Sequence, residues 1–336
     1  MSWGGWGGLA RHRRYVREFQ EAAEWLLATA DAHHTTLQPA AAAGGHPPAP
    51  TPLQQLPGVG SFYHALRKLL GSGQLTRPQA VQLVLEMTLA GTDTSSVTLS
   101  WLPVAMRDSQ ELQAQLLQEA QQVLEVPLEG LSCAALKCGT PLLGATLAES
   151  MRYKPVGPVV IRQARVSMSS AGAPGGSVEL GEGGLVARHG DTVVVDLAAM
   201  GRRPELFPFP DCFNPAGNFL DAQGRPRAVQ ALDAAGAPFD AFTPFGHGTK
   251  GCVGYKLADV EMRAISVCFA TAFQVLPRGS LPASVAEIPL EDIDTHWDIA
   301  NQPTGDVAVA VRLRGPAAGT LGQAGSRAGG GARGVQ

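Results

Sequence analysis

The chain has 336 residues, 45% of them hydrophobic, and a formal net charge of −3. That is apolar material for one large core or two modest ones, and a near-balanced charge without a basic block interleaved with aromatics leaves no footprint for nucleic acid. The five cysteines (Cys133, Cys138, Cys212, Cys252 and Cys268) are odd in number and contain no CxxC pair, so neither a disulfide framework nor a zinc ribbon is indicated.

The opening MSWGGWGGLARHRRYVREF has no apolar run of signal-peptide length, which leaves the compartment open, a mitochondrion or another organelle included. Residues 11–30 place Tyr15, Phe19, Ala22, Leu26 and Leu27 on one side at helical spacing, an amphipathic helix within a first unit, 1–34. Residues 35–60 are rich in Pro and Ala, include HPPAPTP, and read as a loose linker that holds neither helix nor strand ladder. A third unit, 61–314, follows.

From Thr76 the pattern is helical. The apolar stretch Ala80 to Met106 carries Glu86, Asp93 and a cluster of hydroxyls, charges that are expensive in lipid, so it predicts a helix buried in protein and not a transmembrane segment. Pro103 should kink or end it. Asp108 to Leu128 predicts an amphipathic helix. Pro141 to Tyr153 predicts a short one, with Pro141 suited to its first turn and Pro155 as a hard stop.

The β-prone runs Ser177 to Leu180, Leu185 to Ala187 and Thr192 to Leu197 predict a small sheet, with RHGD as a tight turn between the last two. Residues 201–249 are loop-like, Tyr255 to Leu276 is a strong helix, and the Gly/Ala-rich 315–336 is expected to be a disordered tail. The fold class is mainly α with small β-sheets.

Three constellations can carry chemistry. In FTPFGHGTKGCVG, residues 242–254, glycines surround Cys252 just before the last helix. Such a loop bends sharply, brings N–H groups toward a sulfur atom, and lets a flat cofactor approach the main chain. The competing reading is a glycine-rich turn around an inert cysteine. Glu149 and Arg152 share a helix face at i,i+3, a spacing met more often in solvated surface pairs. Gly91 weakens the long helix, and Thr94 can bond back one turn, so Ala90-Gly91-Thr92-Asp93-Thr94-Ser95 predicts a local opening; a kinked core helix is the plainer reading.

The pattern Phe245-x-x-Gly248-x-x-x-Cys252-x-Gly254 resembles the haem-ligand loop of the cytochromes P-450. Glu149-x-x-Arg152 followed by YKPVGPVVIRQ, and the Ala90–Thr94 segment, are similar to two further motifs of that family in the same order. The resemblance implies haem (iron protoporphyrin IX) with Cys252 as the axial thiolate and metal ligand. Phe245, Gly246, Gly248, Lys250, Gly254, Arg162, Ala90 and Gly91 would line it. Lys250 stands where the family has a propionate-binding arginine, keeping the charge without the fork. Asp93 and Thr94 would deliver protons during oxygen activation. Val156, Val159, Val160 and Ile299 would touch the substrate.

In the family a third arginine joins the buried Glu–Arg pair. Here PDCFNPAGNFLD has one extra residue and Asn218 at that place, with Arg225 or Arg203 as a candidate substitute. PVGPVVIR and Gly201-Arg202 look most like the mitochondrial-type branch. The resemblance does not cover the family's N-terminal lobe, so it predicts an N-terminally truncated cytochrome P-450 fold. Two functions follow as expectations. One is a haem-thiolate monooxygenase acting on an apolar, sterol- or terpenoid-like substrate with O2, served by a ferredoxin or flavoprotein reductase. The other is an inactive remnant that binds haem weakly or not at all.

Overall fold

The structure is a computed structural model that describes residues 62–125, 131–165, 177–180, 184–233, 236–297 and 300–315, together with positions 21, 22, 24, 27 and 28. The 35–60 linker and the tail beyond 315 lie outside the described residues, as does most of the first predicted helix. Its described positions are helical, and of the expected apolar face Leu27 is buried while Ala22 is exposed. Leu27 packs with Leu66, Ala80 and Val81 in a small cluster.

Helix α1 spans Phe62–Gly71 and α2 spans Arg77–Asp108. At the start of α2 the Thr76 N–H donates to the Gln79 side chain at 2.9 Å, satisfying a donor the helix itself cannot. Helix α2 continues past Pro103, so the proline does not end it, and it is α-helical across Gly91, where an opening was expected. An interior proline costs about 3 kcal/mol. Trp101, Leu102, Val104 and Met106 around it are at most 3% exposed, and burying each contributes about 1.5–3 kcal/mol, so packing carries the helix past the break. Burial of α2 is concentrated around Pro103, with Ala80 and Val81 also buried near its start, whereas residues 88–92 are exposed.

Ser109 ends α2 and caps α3, Gln110–Leu124, by accepting the Leu112 N–H at 3.2 Å, so the second helix is shorter at both ends than Asp108 to Leu128. Helix α4 spans Cys133–Gly139 and α5 spans Pro141–Tyr153, the latter as expected to the residue. The free N–H groups of Leu142 and Leu143 donate to the Glu119 carboxylate of α3 at 2.7 and 2.9 Å, which fixes α5 against α3.

The expected single sheet is instead split. Strands β1 (Val159–Gln163), β2 (Ser177–Glu179), β3 (Val186–Arg188) and β4 (Thr192–Asp196) form two antiparallel ladders, β1 with β4 and β2 with β3. The RHGD turn therefore joins strands of different ladders. It is still a tight turn: Gly190 has φ +92°, and Asp191 accepts the Arg188 N–H at 2.7 Å.

The loop-like stretch holds short elements, α6 (Leu197–Met200), α7 (Pro215–Phe219), β5 (Gln230–Leu232) and β6 (Pro238–Asp240). Helix α8, Tyr255–Ala272, stops a turn before Leu276 because Phe273–Val275 becomes strand β7. There the Gln113 side chain both donates to the Val275 carbonyl and accepts its N–H, at 2.9 and 2.7 Å, serving as a strand edge. β8 (Thr295–Trp297) pairs with β9 (Asn301–Pro303), and β10 (Val311–Leu313) with β7. The main core gathers the second half of α2 with α3, α5, α8 and β7, through Trp101, Leu116, Leu143, Val267 and Val275. None of the described helices is long and apolar enough to cross a membrane.

Candidate active site

Helix α5 carries an ion pair with no solvent exposure. Arg152 Nε and Nη2 donate to the two Glu149 oxygens at 2.6 and 2.8 Å. Desolvating such a pair is expensive unless every remaining donor and acceptor is satisfied. Here they are: Arg152 also donates to the carbonyls of Gly201, Pro210 and Cys212, and Glu149 Oε1 accepts the Asn214 N–H at 2.6 Å. The guanidinium lies 5.2 Å from the Phe207 ring.

Asn218 completes this network itself. Its Nδ2 donates to Glu149 Oε1 and its Oδ1 accepts the Phe209 N–H at 2.9 Å, with the side chain fully buried. Neither arginine expected as a replacement is involved: Arg225 pairs with Asp221 and Arg203 with Glu205, both on the surface.

Beside the pair opens a cavity of about 530 Å³. One wall is α2, from Met87 to Thr98. The cysteine loop with the start of α8 forms a further wall. The edge is closed by Pro155–Arg162. In the loop Gly246 and Gly248 adopt φ of +73° and +67°, a region that side chains avoid, and the Cys252 N–H donates to the Phe245 carbonyl at 2.8 Å. Those two features fold the chain back so that Cys252 lines the cavity, three residues before Tyr255, the first residue of α8.

Of the residues singled out from sequence, Ala90, Gly91, Thr94, Phe245, Gly246, Lys250, Cys252, Gly254, Arg162, Val156, Val159 and Val160 all line this one cavity. Glu149 lies behind it, and Arg152 touches it. Asp93 is half-buried on the adjacent flank of α2 and does not line it; Gly248 shapes the loop without lining it. Ile299 lies outside the described residues. Thr94 makes the expected back-bond, Oγ1 to the Ala90 carbonyl at 2.7 Å. Ser95, part of the same hydroxyl-rich segment, also lines it; sequence reasoning missed Met87 and Thr98, although Met87, Gly91, Thr94 and Thr98 follow i, i+4, i+7, i+11 and share one helix face.

The lining suits a flat apolar cofactor bearing anionic groups. Val253 and Leu257 stand 86% and 65% exposed on the loop side, apolar surface that a ring system would cover. Arg162 and Lys250 supply cations at the rim. Among the described residues no group of three or more His, Cys, Asp or Glu is gathered to hold a bare metal ion, so a metal held mainly by a macrocycle and one sulfur fits this donor set.

Together the fold and cavity define a mainly helical protein in which a thiol-bearing glycine loop and a long helix line one apolar space. A family-wide sequence model described as Cytochrome P450 matches residues 10–288. The chain is 28% identical to mouse (Mus musculus) aromatase over 70% of its own length and 39% of the relative's. It is 30% identical to the mitochondrial sterol 26-hydroxylase of rabbit (Oryctolagus cuniculus), over 67% of this chain and 39% of that one. Among solved structures, a cytochrome P450 superposes with a TM-score of 0.54 at 20% identity, covering 71% of this chain and 47% of that one. A zebra fish cytochrome P450 determined with progesterone gives 0.53 at 24% identity, covering 74% and 51%. The chain belongs to the cytochrome P450 family and has its fold in part, spanning about two fifths of the length of the curated relatives it matches.

Proposed function

We propose that the chain binds haem through the Cys252 sulfur and takes part in monooxygenation, the insertion of one atom of O2 into an apolar substrate. The observation that carries this reading is the meeting of Cys252, the α2 face around Thr94 and two rim cations in one cavity. The relatives named as sterol hydroxylase and aromatase support the reaction class. Bound haem with a thiolate ligand supplies activation of dioxygen, the anionic sulfur favouring O–O cleavage.

The protein's own groups do the rest. The glycine turns at Gly246 and Gly248 hold the Cys252 loop, and the Phe245 carbonyl anchors its backbone. Lys250 and Arg162 would pair with the anionic edge groups of the cofactor. Thr94, exposed to the cavity and already donating to the Ala90 carbonyl, has acceptor capacity left to hold a water, with Asp93 half-buried beside it as the nearest acid on that helix. Protons delivered along that flank would be gated by the threonine. Val156, Val159 and Val160 exclude water and favour an apolar substrate. Electrons would come from a ferredoxin or flavoprotein reductase.

Asn218 does not leave the buried Glu149–Arg152 pair incomplete, because its amide satisfies the network there. The test is Thr94→Ala in the haem-loaded chain, supplied with an electron donor and a terpenoid or sterol panel. Electron consumption should persist while product per electron falls about tenfold or more. Unchanged coupling would overturn the role of Thr94, and no product from wild type under any donor would overturn the monooxygenase reading.

A further inference from the structure

Strands β1 and β4 form a two-stranded ladder that no third strand joins among the described residues. Two strands alone are marginal in water, and this pair holds large apolar side chains in solvent: Ile161 is 53% exposed and Val194, directly opposite it, 55%. The backbone of β4 has a free edge as well. Near the two ends of the ladder the Leu197 N–H donates to the Pro158 carbonyl and the Ala164 N–H to the Asp191 carbonyl. By the alternation of an antiparallel pair, Val193 and Val195 then bond to β1, while Thr192, Val194 and the Asp196 N–H turn outward. Edge strands are ordinarily blunted by a lysine, a proline or a bulge. TVVVD has none of these, and its one charge, Asp196, is engaged in capping α6 through the Ala199 N–H at 2.9 Å. The other strand of the ladder is different: β1 carries Arg162 and borders the cavity.

We propose that β4 is a dimerisation edge on which a second copy of this chain docks, the two β4 strands pairing antiparallel about a two-fold axis through Val194. The strand is self-complementary in that register. Val194 faces its own copy with outward N–H and C=O on both sides, Val193 faces Val195, and the Thr192 hydroxyl faces the Asp196 carboxylate, so no like charges are opposed. A four-stranded sheet results, and Ile161 and Val194 of both copies form one continuous apolar stripe on its face. The joint is five residues long, well short of the roughly 1,000 Å² of a permanent interface, so the dimer is weak and dissociates at roughly 100 µM. This assignment is independent of the cofactor reading.

The test is sedimentation equilibrium of the full chain from about 5 to 500 µM, a range that brackets that constant, with hydrogen exchange on the same samples. A monomer–dimer equilibrium is expected, with amide protection that rises with concentration over residues 192–196 and not over 159–163. Val194→Lys sets two ammonium groups against each other across the axis and should weaken dimerisation about tenfold or more. Val194→Thr, β-branched and uncharged, should retain it. Val178→Lys, on the comparably exposed strand β2, should leave it as in wild type. Unchanged exchange in the core helices reports that each variant is folded. A monomer at every concentration would overturn the proposal and leave the edge to a strand of another protein. A dimer that survives Val194→Lys, or that gains protection only outside 192–196, would overturn it equally.

Discussion

Asn218 Nδ2 donates to Glu149 Oε1 at 3.0 Å, placing a neutral amide against a buried carboxylate where the family pattern leads one to expect a guanidinium. The amide suffices because Arg152 already neutralises Glu149 in a two-point contact and Asn214 adds a backbone donor. Asn218→Ala leaves a Glu149 lone pair and both Phe209 backbone groups without this partner, so it should destabilise the fold by about 2–3 kcal/mol in urea denaturation. Asn218→Asp should cost more, through repulsion between two buried carboxylates. A change below about 0.5 kcal/mol in both would contradict the network's importance.

Much of this arrangement was legible in the sequence, for physical reasons that differ by site. Proline at 141 and at 155 bounded α5 on both sides, so local chemistry alone determined its ends. The cysteine loop was legible because positive φ at Gly246 and Gly248 demands glycine. The helix does not end at Pro103 because tertiary burial outweighs a local break, and the strand at Phe273 escaped the pattern because pairing with β10 captured residues of helical spacing. The role of Asn218 could not be read, since its partners lie nine and sixty-nine residues away.

Lys154, the residue after α5, is 8% exposed, donates to the Ile293 carbonyl and lies over the Trp101 and Tyr153 rings. Burial, and then repulsion from Arg202, hold its ammonium below the usual 10.5, against the pull of Asp294, Glu291 and Asp292. Between the lowered folded value and 10.5 the unfolded chain binds more protons, so this residue's contribution to stability rises with pH. The stability of wild type minus that of Lys154→Met should therefore grow as pH is raised toward 10.5 in denaturant titrations. A difference that shrinks would contradict the buried setting.

Asp259 on α8 pairs with Lys137 of α4 and with Arg263, which also donates to the Thr140 carbonyl at 2.7 Å. Burial pushes the Asp259 carboxyl up, but the two cations outweigh it and hold the group below the ordinary 3.8. Its stabilisation is present above 3.8 and is lost as pH falls through the lower folded value. Asp259→Asn should destabilise the protein at neutral pH, and that deficit should narrow on acidification; a pH-independent deficit would mean the ion pairs contribute nothing.

The positive φ of Gly246 ties the bend of the cysteine loop to the cavity it lines. Gly246 lines the cavity with φ +73°, so Gly246→Val should reduce haem retention on gel filtration more than Gly71→Val, at an exposed helix end with open space around it. Equal retention would mean that the loop's bend does not govern the site.

The most direct test is the absorption spectrum of the reduced, carbon monoxide-bound chain supplied with haem, compared with Cys252→Ala. Thiolate ligation predicts a strongly red-shifted Soret band in wild type that Cys252→Ala abolishes. A histidine-like band, absence of bound haem, or a red-shifted band that survives the substitution would contradict the assignment of Cys252.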